Sequence, residues 1–273
     1  MIRDITLGQF FPGNTPIHKL DPRVKIVLSV VYIVGVFLAK NLWAFAAVAL
    51  TSVLLVAFSG ISPRTILKSM KPILFVLIFT TFFNIFFTSG DVLLISFWKI
   101  NIYLEGVVFA LMMVLRISAM LTGTSVLLTY TTSPIMLTDA LERLLSPLRV
   151  LKLPVHEFSM MMTIALRFIP TLIEETDKIM SAQKARGADF ETGSLVRRAK
   201  ALVPILIPLF ISAFRRADEL ATAMECRCYR GGEGRTRMTK LKLTAGDFVA
   251  VILFALTVGG IVYLNFLPCP ISI

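Results

Sequence analysis

Five apolar runs, the first four separated by short charged or Pro/Gly-containing segments and the last by a long polar one, constrain this chain more than any other feature. They cover residues 26–39, 42–58, 72–88, 104–128 and 248–267. A helix rises 1.5 Å per residue, so about 20 apolar residues match the ~30 Å hydrocarbon core of a bilayer. Inside hydrocarbon each backbone polar group must be satisfied within its own segment, which makes such runs helical. The first two runs are separated only by Lys40-Asn41. Joined as one helix they would reach roughly 50 Å, far more than a bilayer needs. The spacing therefore predicts two spans and a tight hairpin, the first span being short, with Trp43 at the interface. Composition agrees. Of 273 residues 56% are hydrophobic and only 16% charged, whereas a soluble domain carries about 25% charge. The expected class is an all-α integral membrane protein with about five transmembrane helices. Met1-Ile2-Arg3-Asp4 leads into polar and Pro/Gly residues, which does not read as a cleavable signal peptide.

The remaining segments follow from local signals. Leu20-Asp21-Pro22-Arg23 reads as a helix start, with Asp21 as N-cap and Pro22 at the first helical position. Residues 59–71 read as a basic loop with Arg64, Lys68 and Lys71. Residues 90–103 alternate apolar and polar side chains in places and read as a surface loop with room for a short hairpin. Thr131-Thr132-Ser133-Pro134 resets the chain, Ser133 being a natural cap. An amphipathic helix is expected at 135–148. Pro154 opens a long helical pattern to Arg186 with Pro170 inside, and Gly187 supplies its stop. Ser194 caps a second one, 195–228, bent or broken at Pro204 and Pro208, with Arg215 and Glu219 spaced for an i,i+4 pair. Residues 230–242 are a Gly-rich basic linker. Three regions result: 1–130 with four spans, 131–242 as a domain of long amphipathic helices on the cytoplasmic face, and 243–273 with the last transmembrane helix.

The net charge is +11, and its 28 Lys and Arg residues are unevenly distributed. With the N-terminus inside, the inner segments hold 4 (1–25), 3 (59–71) and 18 (131–242), and the outer loops only Lys40 and Lys99. That satisfies the positive-inside rule and puts the N-terminus and the 131–242 region in the cytoplasm. The basic excess fits anionic lipid headgroups beside an amphipathic platform, with no nucleic acid needed.

The two long patterns end alike. Ala185-Arg186-Gly187 closes one and Cys226-Arg227-Cys228 the next, the two Arg lying 41 positions apart. One cation in a last helical turn simply answers the helix dipole. Two copies in tandem suggest prongs, each Arg flanked by small residues that let it enter a partner's groove and pair with a carboxylate. The chain offers little else for chemistry. Three Cys and two His show no metal pattern. The glycines at 231–234 lack the spacing and Lys of a P-loop, and no nucleophile–base constellation is visible. Arg116, the one cation within the fourth run, has two open readings. It is a functional residue facing protein or water, or its span is shorter and it snorkels toward the cytoplasmic surface.

On these residues the chain resembles the transmembrane T components of energy-coupling factor (ECF) transporters. The likeness covers nearly the whole chain. Its most specific parts are 11–25 (Phe-Pro-Gly-Asn-Thr-Pro-Ile-His-Lys-Leu-Asp-Pro-Arg-Val-Lys), the stretch from Arg116 through Thr131-Thr132-Ser133-Pro134, and the two Arg motifs. Ala185-Arg186-Gly187 matches the family's first motif in full. Cys226-Arg227-Cys228 keeps the Arg of the second and changes both neighbours to Cys. The resemblance implies a prokaryotic cell-membrane subunit that binds two ABC-type ATPase subunits, one per Arg motif, and a membrane-embedded S component. It would couple ATP hydrolysis to movement of that component during vitamin or metal-ion uptake. It implies no catalysis and no cofactor in this chain, ATP and Mg being held by the ATPases. Asp21, Pro22, Arg23 and Arg116 are expected to be structural or coupling residues. A stand-alone carrier or channel is the alternative, but the spans lack a polar lining. An intramembrane enzyme would have only Arg116 to work with.

Overall fold

The computed structural model describes residues 10–88, 92–97, 100–151, 154–190, 194–232 and 241–267. In chain order the elements are α1 (Pro16–Lys19), α2 (Pro22–Leu38), α3 (Leu42–Ser59), α4 (Pro63–Met70), α5 (Leu74–Phe87), β1 (Leu93–Phe97), β2 (Ile100–Tyr103), α6 (Leu104–Thr124), α7 (Pro134–Leu144), α8 (Val155–Ala185), α9 (Leu195–Cys226) and α10 (Ala245–Leu264). α6 continues as a π-helical turn, Ser125–Tyr130, and a 3-10 turn, Ser146–Leu151, follows α7. The chain forms two units, one over Gly8–Ala140 with Leu241–Ile273, the other built on Leu141–Lys240.

Four helical stretches among the described residues are long and apolar enough to cross a membrane: Leu42–Ser59, Pro63–Phe87, Leu104–Tyr130 and Ala245–Leu264. The remaining expected span is α2, whose 17 residues rise only about 25 Å. The turn at residues 39–41 separates it from α3, as the charge interruption predicts. The 59–71 segment departs from expectation. It is not a loop but the helix α4, begun by Pro63 and joined to α5 through a 3-10 turn at Lys71–Ile73. Its polar and apolar residues segregate at helical spacing, so Ile66 is buried and the three cations lie away from the core. The 90–103 region contains an antiparallel strand pair, with Ile95 opposite Ile102 and Phe97 opposite Ile100.

The core of the first unit is arranged around α2. Tyr32 and Val36 of that helix are buried with Phe45 and Val48 of α3, Met112 and Ala119 of α6, and Ile261 of α10. A second cluster, Ile17, Leu28, Ile66, Val126, Leu127 and Tyr130, fills the end nearest the α2 N-terminus. α2 and α6 run antiparallel. Lys25 meets Thr131, the Tyr32 hydroxyl bonds the Ala119 carbonyl (3.1 Å), and Arg116 bonds the Ala39 carbonyl (2.8 Å). Contact is closest where the Tyr32 ring fills the space above Gly123. A Cβ there would lie 2.1 Å from Cε1 of Tyr32. Small residues at helix interfaces are how spans approach without a hydrophobic driving force.

The second unit is an antiparallel pair, α8 and α9. Glu175 of α8 accepts hydrogen bonds from Ser212 and from Arg216 (3.1 Å) of α9. Gln183 reaches Pro204, and Gly232, beyond α9, sits against the His156 ring. The register therefore holds along the whole pair. Pro170, Pro204 and Pro208 do not break either helix. A proline at 208 cannot donate to the Pro204 carbonyl. The Gln183 side chain of α8 donates to that carbonyl instead (3.4 Å). The expected Arg215–Glu219 pair does not form among the described residues. The ion pair is Arg216–Glu175, which joins the helices to each other.

Candidate functional site

The two Arg motifs prove to be one structure built twice. Arg186 caps α8 and Arg227 caps α9, with φ/ψ of −85°/6° and −91°/14°. After Arg186, the Gly187 amide donates to the Lys184 carbonyl (3.0 Å) and the Ala188 amide to the Gln183 carbonyl (3.0 Å). After Arg227, the Cys228 amide donates to Glu225 (2.9 Å) and the Tyr229 amide to Met224 (3.0 Å). Both are Schellman motifs, which satisfy the last orphan carbonyls of a helix and need a left-handed residue next. Gly187 (φ +86°) and Cys228 (φ +56°) fill that position.

The motifs lie at opposite ends of the α8–α9 pair. α9 has 32 residues, so the two Arg stand roughly 45–50 Å apart along it. Ala185, Arg186, Gly187, Cys226, Arg227 and Cys228 are all exposed. Among the described residues neither Arg has an acidic partner within ion-pair distance. Each guanidinium is thus a solvated cation on a rigid helix end, flanked by side chains too small to shield it. Among the described residues no group of His, Cys, Asp and Glu is placed to hold a metal ion.

Asp21, Pro22 and Arg23 belong to a buried polar cluster that sequence alone did not reveal. Asp21 caps α2 by accepting from the Arg23 amide (2.9 Å), and its carboxylate also takes the Arg23 side chain at 2.7 Å. The Asp21 amide donates to Asp247 (2.8 Å), which lies 226 residues later and closes a capping box with Thr244 at the start of α10. Lys25, 1% exposed, donates to the Thr131 carbonyl and to the Thr131 and Thr132 hydroxyls at 2.8–3.3 Å. Lys25 closes the 11–25 stretch that carries part of the resemblance, whereas the advance signal for Asp247 was its charge at the edge of an apolar run. Arg116 is placed elsewhere. It does not snorkel to the end where α2 begins, but faces protein, with its guanidinium 5.1 Å from the Phe45 ring centre and bonded to Ala39 at the C-terminal cap of α2. There a cation completes a helix end by bonding a free carbonyl.

These features define a class: a polytopic membrane protein of the all-α class, with one short strand pair, that presents two Arg-ended helix termini on a paired long-helix unit. Residues 13–238 match the family model CbiQ, described as cobalt transport protein. The chain is 54% identical over 247 residues to the energy-coupling factor transporter transmembrane protein EcfT of Ruminiclostridium cellulolyticum, covering 90% of this chain and 92% of that one. It is 54% identical over 251 residues to the protein of that name from Clostridium kluyveri (92% and 93% covered). Against that of Bacillus subtilis it is 44% identical over 252 residues (92% and 95% covered). The chain belongs to this family, the transmembrane T components of ECF transporters.

Proposed function

We propose that this chain is the transducer of its transporter, linking two ABC-type ATPase subunits to a membrane-embedded S component that carries a vitamin or a metal ion. Arg186 docks one ATPase and Arg227 the other. The observation that carries the reading is the duplication of one capped, exposed Arg, with no acidic partner among the described residues, at both ends of the α8–α9 pair. A rigid helix end positions a guanidinium for a bidentate bond to a carboxylate in a partner groove. The Arg motifs and the N-terminus face the cytoplasm, as the concentration of Lys and Arg in residues 131–242 supports. ATP and Mg bind the ATPases, and this chain performs no catalysis. Closure of the ATPases on ATP would shift the two prongs relative to each other and so move the helices that carry the S component.

Co-purification of the chain with its ATPases tests this. Removing one member of a desolvated charge pair costs about 2–5 kcal/mol, or roughly 30-fold to several thousand-fold in affinity. Arg186→Glu and Arg227→Glu should each release one ATPase, and the double variant both. Retention of both ATPases by the double variant would refute Arg docking.

A further inference from the structure

Residues 21–25, at the start of α2, hold the two segments of the first unit that lead towards the second unit and back from it. The outgoing segment is Thr131-Thr132, just before α7. The Lys25 amine donates to the Thr131 carbonyl (2.8 Å), to the Thr132 and Thr131 hydroxyls (3.2 and 3.3 Å) and to the His18 carbonyl (3.3 Å). The two Thr hydroxyls pass the chain on, each donating to the Leu127 carbonyl at 3.0 and 3.3 Å. The returning segment is 241–244, just before α10. Arg23 donates to the Leu241 carbonyl (3.4 Å), and the buried Asp247 carboxylate accepts from the Thr244 amide, the Thr244 hydroxyl and the Asp21 amide at 2.7–2.8 Å.

Taking the transducer reading as given, we infer that Lys25 and the Asp21–Arg23–Asp247 group are positioning residues that fix the two roots of the coupling unit to α2. Movement of that unit then reaches the core of the transmembrane helices. Two features carry this beyond ordinary packing. No acid lies within ion-pair distance of the Lys25 amine among the described residues. A buried cation hydrogen-bonded only to neutral acceptors, with the Asp247 carboxylate acting on it from beyond ion-pair distance, adds less stability than an apolar side chain of its volume would. What it adds is direction, because its three N–H donors tie two separate segments, at His18 and at Thr131–Thr132, to the start of α2. Both roots also converge on residues 21–25, at the head of the helix around which the first unit packs.

The test uses amide hydrogen exchange on the full chain, alone and assembled with its two ATPases. In the chain alone, losing a charged, buried hydrogen bond should open its neighbourhood by about tenfold or more. Lys25→Met should therefore speed exchange over 131–137 and leave 244–250 unchanged. Asp247→Asn should do the reverse. Thr132→Val, which keeps the shape of the side chain, should give a smaller rise over 131–137 and decides the point if Lys25→Met does not fold. In the wild-type complex, MgATP should alter exchange in α8 and α9 and in the first turns of α2 and α10. In the Lys25→Met and Thr132→Val complexes the response in the first turn of α2 should fall while that of α10, reached through Asp247, remains, and in the Asp247→Asn complex the α10 response should fall. Responses at α2 and α10 that match the wild type in all the folded variants overturn the inference. A wild-type chain that retains no ATPase, or shows no response to MgATP anywhere, overturns the transducer reading instead.

Discussion

Gly187 and Cys228 occupy the same backbone position, the left-handed residue immediately after an Arg that ends a long helix, with φ of +86° and +56°. Glycine takes this conformation without cost, whereas a residue with a Cβ is disfavoured by about 1 kcal/mol. Cys228→Gly should therefore strengthen the end of α9 by about 1 kcal/mol. Gly187→Ala should weaken the end of α8 by a similar amount, although a Cβ there would meet nothing within 4 Å. Exchange protection of the amides at 224–229 and 183–188 reads both effects. Lower protection in Cys228→Gly would contradict the shared geometry.

A steric notch on α6 locks it against α2. Gly123→Ala would place a Cβ 2.1 Å from Tyr32, and overpacking of this kind costs about 1–3 kcal/mol. Tyr32→Phe removes only the hydroxyl bonds to Ser52 and Ala119 and should cost about 1 kcal/mol. Thermal unfolding in detergent should rank Gly123→Ala as the more damaging change, and Tyr32→Leu in the same chain should relieve part of it.

Gln183 is expected to matter only because residue 208 is proline. Gln183→Ala leaves the Pro204 carbonyl without its donor and should cost about 0.5–1 kcal/mol. In a Pro208→Ala background the helix supplies its own donor, and the cost of Gln183→Ala should vanish. A double-mutant cycle on melting temperature measures the coupling. Equal costs in both backgrounds would show that the Gln183 bond does not serve the proline.

Arg116 should behave as a structural residue. Arg116→Met loses the Ala39 bond and the Phe45 contact, at about 1.5–3 kcal/mol. Arg116→Lys should recover only part, because an ammonium lacks the planar fork. Both variants should still co-purify with whatever ATPases the wild type binds. Loss of ATPase binding in a variant that melts like the wild type would instead make Arg116 a coupling residue.

Much of this could be read from the residues alone. Apolar run length depends only on bilayer thickness and helix rise, so the four long spans were legible, as was the break at Lys40-Asn41. Caps are local too. Asp21, Ser133 and Ser194 bond backbone amides two or three residues ahead, and Gly187 ends α8 as its sequence position predicts. The two Arg motifs were visible because each is three adjacent residues.

What tertiary structure decided involves partners far apart in the chain, and no window of sequence contains them. The α4 helix replaced an expected loop because Ile66 found a place in a core made by Ile17, Leu28 and Tyr130. Arg216 bonded across to Glu175 rather than leaving Arg215 to pair along its own helix, since facing helices offer a closer acid. Lys25 and Asp247 looked like charges at the margins of spans, yet their acceptors and donors lie 106 and 226 residues away. The sequence by itself determined the apolar spans, the two long helices and the caps that start and stop them, because hydrophobic run length and backbone capping act locally. Only the fold decided which charges meet, because a buried ion is held by whatever polar groups packing brings within 3 Å, at any separation along the chain.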